Sequence, residues 1–179
     1  MSMDIKPKEY FESIYCEVFP ILVRVVFRVC NDQDVAEELC HDAFIKLYER
    51  IHQFPDVDQA KFWLIRVCKN HALNYVKRKQ RERRAYERVL ATPAPKLPTG
   101  EENVIRADLA AQVQTALGLL PDNLRIILIM KEYGEMNYQD IANSIGISRV
   151  NVNVRVYRAR QKLALLLRDD FLPERNQHD

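Results

Sequence analysis

Glycine is scarce in this sequence: four in 179 residues, at Gly100, Gly118, Gly134 and Gly146. A dinucleotide or P-loop phosphate site needs a clustered glycine loop, which four isolated glycines cannot build, and this argues against nucleotide-dependent chemistry. Long apolar runs are also missing. Residues 21–27 are interrupted by Arg24 and residues 126–130 are too short, well under the roughly 20 residues of a membrane-spanning helix. The opening MSMDIKPKEYF has no apolar signal core, which predicts a cytoplasmic chain without membrane insertion. Cys16, Cys30, Cys40 and Cys68 form no C-x-x-C pair, so they are expected to be buried, reduced thiols. Cys40–His41 and Cys68/His71 make poor metal sites. Adjacent residues diverge on a helix, and one i,i+3 pair gives two ligands where zinc takes three or four. No metal and no cofactor is expected.

Net charge is small as well, +2 from 27 basic and 25 acidic residues, but its distribution is uneven. Residues 66–88 carry +7 and residues 149–168 carry +6, which leaves −11 on the other 136. Two basic strips on an acidic remainder are the electrostatic footprint of polyanion binding, although two solvated helix faces would give the same count.

The clearest boundary is TPAPKLPTG at 92–100, three prolines without helical period, read as a semi-extended linker. The chain divides into a first domain at 1–90, a linker at 91–103, a second domain at 104–172 and a polar tail at 173–179. Apolar residues recur at three- and four-residue steps throughout, which predicts an all-α protein. Helices are expected at 8–18, 20–30, 34–51 and 61–88, then at 103–118, 121–133, 138–145 and 148–168. Pro20 suits the first turn of its helix, Asn31/Asp32 a cap, and residues 54–60 a loop.

Three stretches carry more information. In DVAEELCHDAFIKLY (34–48), Val35, Ala36, Leu39, Cys40, Ala43, Phe44 and Leu47 form an apolar arc. The opposite arc holds Asp34, Glu38, His41, Asp42 and Glu49 with Ile45 among them. That arc is either a solvated acidic face or a docking surface for a basic partner. In residues 61–88, Ile65, Cys68, Ala72 and Val76 line a core face. Arg66, Asn70, Asn74, Lys77 and Arg81 line another, with Lys69 and Arg78 beside it. Arg and Lys neutralise phosphates, and Asn reads base edges through its amide. Phe62, Trp63 and Tyr75 could stack on bases; for Trp63, burial is at least as good a reading. In residues 137–166, small Ala142, a turn at Gly146, a cap at Ser148 and wedge residues Ile145, Ile147 and Val152 make a helix-turn-helix pattern. Arg149, Asn151 and Asn153 lie where base contacts are made in such motifs, with Arg155, Arg158, Arg160 and Lys162 following.

In this order and spacing, the three stretches resemble the extracytoplasmic-function (ECF) sigma factors of bacterial RNA polymerase over about residues 8–168. DVAEELCHDAFIKLY is similar to the family's region 2.2, KFWLIRVCKNHALNYVKRK to regions 2.3–2.4, and Leu120–Pro121, YQDIANSIGIS and RVYRAR to region 4. The resemblance implies two helical domains, a region 2 bundle and a region 4 helix-turn-helix, joined by a short Pro-rich linker. It implies a non-enzymatic specificity subunit that binds core polymerase through the β′ clamp helices and the β flap. It assigns Glu37, Glu38, His41, Asp42 and Ile45 to the polymerase. The promoter −10 element falls to Arg66, Lys69, Asn70, Asn74, Lys77, Arg78 and Arg81, with Asp56, Asp58 and Lys61 in the preceding loop. The −35 element falls to Ser148, Arg149, Asn151, Asn153, Arg155, Tyr157 and Arg158. An anti-sigma factor is the implied regulator.

Two positions depart from the family pattern. His41–Asp42 stands where many members have Gln-Glu, and Asn153 replaces a common basic reader. Asn prefers the N6/N7 edge of adenine, which predicts adenine in the −35 element. Two other readings are weaker. A stand-alone helix-turn-helix regulator leaves the acidic helix and the Asn-bearing basic helix without a task. A small enzyme built on Cys68/His71 or Cys40/His41 lacks an orienting third group.

Overall fold

The computed structural model describes residues 7–90 and 104–171. Among them there are seven α-helices, one 3₁₀ turn and no strand: α1 Pro7–Cys30, α2 Gln33–Tyr48, the 3₁₀ turn Ile51–Gln53, α3 Val57–Leu90, α4 Val104–Leu119, α5 Asp122–Glu132, α6 Tyr138–Ile145 and α7 Arg149–Phe171. The expected linker at 91–103 and tail at 173–179 lie outside the described residues.

The two helices expected at 8–18 and 20–30 are one. Proline inside a helix removes an amide donor and costs about 3 kcal/mol. Here Pro20 and Cys16, whose carbonyl loses its donor, both face solvent. The buried stripe Ile14, Val18, Leu22, Val25 and Val29 runs past Pro20 on the opposite face. Burying each such side chain is worth about 1.5–3 kcal/mol, so the continuous stripe outweighs the local defect.

In the first domain α1, α2 and α3 pack on one another. Ala36, Cys40, Ala43, Phe44 and Leu47 form the inner side of α2. Ala60, Leu64, Cys68 and Ala72 form that of α3. Asp32 caps α2 by accepting from the Val35 amide at 3.2 Å. An aromatic group braces the α1–α2 edge: the Tyr15 ring lies 4.7 Å from Phe19 and 5.0 Å from Phe44.

In the second domain α7 is the centre, packing on α4, α5 and α6. Asn137 caps α6 through the Asp140 amide at 2.9 Å. Gly146 ends α6 at φ +79°, the left-handed conformation expected for it. Ser148 then caps α7, accepting from the Asn151 amide at 3.3 Å. Ile141, Ala142 and Val152 are buried between the two helices.

The domains touch through α3–α6 and α1–α5, and their buried residues form one contiguous cluster. Gly134 lies at this contact. A Cβ there would lie 2.6 Å from the Met130 carbonyl oxygen and 3.1 Å from the Val25 side chain of α1. Arg24 of α1 and Glu135 pair beside it at 3.1 Å.

Candidate nucleic-acid and partner interfaces

The outer face of α2 carries Glu37, Glu38, His41, Asp42 and Ile45, all exposed. Ile45 is 60% exposed, and Tyr48, one turn on and outside the expected set, is 59% exposed. The face is therefore acidic with an apolar end. His41 is steadied from α1, its Nε2 3.3 Å from the Tyr15 hydroxyl and its ring 4.7 Å from Phe19. Behind this face His71 of α3 meets Lys46, Nε2 to Nζ 3.3 Å. Burial, and then the Lys46 charge, hold His71 below its ordinary value.

The loop expected before α3 is shorter than the sequence suggests. Asp56 is the helix cap, accepting from the Gln59 amide at 2.8 Å and from its side-chain amide at 3.0 Å. Asp58 and Lys61 therefore lie in the first turns of α3 rather than in a loop. Lys61 is also turned back to Glu17 of α1 at 3.8 Å. Capping favours Asp, which the charge pattern does not distinguish from a loop acid.

Along α3, Asn70, Asn74, Lys77, Arg78 and Arg81 are exposed and Lys69 is half-buried. Burial, then the neighbouring Arg66, lowers the Lys69 pKa. Two of the stripe's cations are engaged by the second domain. The Arg66 guanidinium donates to the Ser144 carbonyl at 3.2 Å and to the Asn143 carbonyl at 3.3 Å. Lys77 pairs with Asp122 at 3.6 Å. Trp63 packs against the core, its ring 5.4 Å from Phe54. Tyr75 receives Lys79, which donates to its hydroxyl at 2.9 Å.

The helix-turn-helix face is open. Ser148, Arg149, Asn151, Asn153, Tyr157 and Arg158 are exposed and Arg155 is half-buried. Arg160 leaves the basic strip: its Nε and a terminal nitrogen donate to Glu132 at 3.0 and 2.6 Å. Two residues outside the expected set join the face, Val150 at 72% and Val154 at 40% exposure. They stand one turn apart beside Arg149 and Asn153. The available signal was their register, since Val152 and Val156 take the buried positions.

The cysteines differ from expectation. Cys40 and Cys68 are buried, but Cys16 is exposed and Cys30 half-buried. The Cys68 thiol is pushed up by its hydrogen bond with Cys40 and by burial. Cys30 is pushed up to about 12, first by burial and then by Asp32. A nucleophilic cysteine needs the opposite shift from the one Cys68 shows.

The arrangement defines a two-domain helical protein with one helix-turn-helix and two further exposed charged faces. The model of sigma-70 region 2 matches residues 15–82, and that of sigma-70 region 4 matches residues 110–163. The chain belongs to the sigma-70 family, within its extracytoplasmic-function branch. It is 24% identical to the ECF RNA polymerase sigma factor SigM of Bacillus subtilis (strain 168), over 87% of this chain and 93% of that one. It is 29% identical to the ECF RNA polymerase sigma-E factor of Haemophilus influenzae, over 82% of this chain and 79% of that one. The solved structure of the sigma factor RpoE in complex with the anti-sigma factor NepR from Bartonella quintana shares the fold. Its TM-score is 0.64 at 23% identity, over 88% of this chain and 96% of that one.

Proposed function

We propose that the chain works in the cytoplasm as a promoter-specificity subunit. It binds core RNA polymerase, directs it to −35 and −10 elements, and assists melting through binding energy rather than catalysis. The observation that carries this reading is the separation of three exposed faces on the matched regions: acidic α2, Asn-bearing α3 and the open α7.

Glu37, Glu38, His41, Asp42 and Ile45 dock on the polymerase, with Tyr48 extending the apolar end. Charge complementarity sets orientation and on-rate, and the exposed apolar residues anchor the contact. Arg149, Asn151 and Asn153 enter the −35 major groove, Asn reading adenine. Val150 and Val154 suit thymine methyl groups, and each good base contact contributes about 1–3 kcal/mol of discrimination. Asn70 and Asn74 read the −10 strand, and the cations along α3 hold its phosphates. For Arg66 and Lys77 to reach that strand, their bonds to Asn143, Ser144 and Asp122 must be exchanged for DNA contacts. Promoter reading therefore requires the domains to part, and an anti-sigma factor of the kind bound to the Bartonella relative is the natural opposing partner.

The test is run-off transcription with reconstituted core enzyme. Promoter-dependent product is expected with core polymerase and the chain together. Tight operator binding by the chain alone, with no promoter-dependent product from any genomic fragment, would replace this reading with a stand-alone regulator.

A further inference from the structure

The run RVNVNVRV at 149–156 places valine at every second position. On a strand all four valines would share one face; on a helix they divide. Val152 and Val156 are buried behind α7, while Val150 and Val154 are exposed. An exposed valine does little for its helix: the branched side chain loses rotamer freedom there, and no burial offsets the loss. Val150 and Val154 stand one turn apart, so together they form an apolar step on the open face of the second helix of the helix-turn-helix.

The surroundings of this step say what covers it. Val150, Asn153, Val154 and Tyr157 are neighbours at three- and four-residue steps, so an amide lies beside the two valines. Arg149 and Arg158 flank them and are exposed. Gln161 donates to the Tyr157 hydroxyl at 2.6 Å, which leaves the O–H to donate to a phosphate. Residues 149–168 hold six Lys/Arg and no acid, a charge pattern that favours a polyanion over an apolar protein surface. The partner is therefore a polyanion with methyl groups on its inner edge. The DNA major groove has that chemistry: thymine presents its C5-methyl there, and the paired adenine presents the N6/N7 edge that suits Asn153.

We propose that Val150 and Val154 form a reader of pyrimidine C5-methyl groups in the −35 element, taking thymine and 5-methylcytosine alike. This rests on α7 reading the −35 element and adds the chemical group that it reads. One helical turn separates the two side chains by about 5–6 Å, against a rise of roughly 3.4 Å per base pair. The two methyl groups therefore lie one to two base pairs apart. Valine carries no hydrogen-bonding group, so it does not distinguish the O4 of thymine from the N4 amine of 5-methylcytosine. Promoter recognition by this chain consequently responds to C5 methylation of cytosine at those two positions.

The test uses the reconstituted holoenzyme and a promoter that it selects from random −35 sequences. Each thymine of the −35 element is replaced singly by deoxyuridine, which removes the methyl and keeps the pairing edge. Two replacements, no more than two base pairs apart, are expected to weaken binding by about fourfold each, the worth of one buried CH2-sized group. At those positions 5-methyldeoxycytidine should bind about fourfold more tightly than deoxycytidine. Val150→Ala should abolish the methyl response at one position and Val154→Ala at the other. Both side chains are exposed, so alanine leaves the fold intact, and thermal unfolding checks this. The deoxyuridine arm needs no variant. Full tolerance of deoxyuridine, or no gain from 5-methyldeoxycytidine, overturns the proposal. Unchanged promoter binding in both alanine variants assigns the valine step to a protein partner and overturns it too. A defined −35 preference without methyl sensitivity defeats this inference alone, whereas a holoenzyme with no −35 preference removes the reading of α7 beneath it.

Discussion

The two basic helices look alike in composition and differ in the folded chain. On α7 the outer face of the first three turns stands open, and among its described cations only Arg160 is ion-paired, to Glu132. On α3 the stripe is partly engaged, with Arg66 on the carbonyl end of α6 and Lys77 on Asp122. The strips carry +7 and +6, yet their available charge is unequal. Net charge counts cations; only tertiary contacts say which of them face a ligand. The comparison also explains why free DNA affinity should be low. The acidic remainder repels the duplex, and one of the two basic faces is held by the other domain.

The largest expected effect separates the acidic face from both basic ones. Glu38→Lys with Asp42→Lys places like charge against the polymerase and should weaken core binding by about 100-fold. Binding of the isolated chain to −35 DNA should not fall. A fluorescence-polarisation titration with core enzyme measures this, and unchanged affinity would remove the docking role from α2.

Next comes the open face. Asn153→Ala should cost about 1–3 kcal/mol at one −35 position and relax its preference for adenine. Selection of promoter variants with reconstituted holoenzyme reads this out. A uniform loss at every position would make Asn153 a backbone contact.

Gly134→Ala probes the turn after α5, which also meets Val25 of the first domain. The added methyl meets a carbonyl at 2.6 Å and Val25 of α1 at 3.1 Å, so stability should drop by about 1–3 kcal/mol. Urea unfolding measures it, and a neutral result would mean that the α5 end and Val25 both shift to make room for the methyl.

The smallest effect concerns pH. His71 is held below its ordinary value by burial and by Lys46. A depressed folded pKa means that the unfolded chain binds the proton more readily. Stability is then full above the unfolded value of about 6.5 and declines as pH falls through the folded value. His71→Gln should flatten that decline between pH 7 and 5 in urea midpoints.

Much of this fold was legible in the sequence because its signals are local. The α2 arc, the Ser148 cap and the Gly146 turn each follow from a few neighbouring residues. The failures share a cause. Pro20 marks a helix start in a local reading, and only the buried stripe crossing it shows one continuous helix. Asp56 belongs to a cap and not to a longer loop, which depends on backbone geometry. Arg66 and Arg160 have partners 78 and 28 residues away, beyond any periodicity. Val150 and Val154 look like core residues by type and are exposed by register.

The most direct measurement is promoter selection with holoenzymes carrying Asn70→Ala or Asn153→Ala. The account predicts that the first relaxes sequence preference at −10 alone and the second at −35 alone, with core binding unchanged in both. Loss of core binding in parallel with promoter preference, or both substitutions altering the same element, would contradict it.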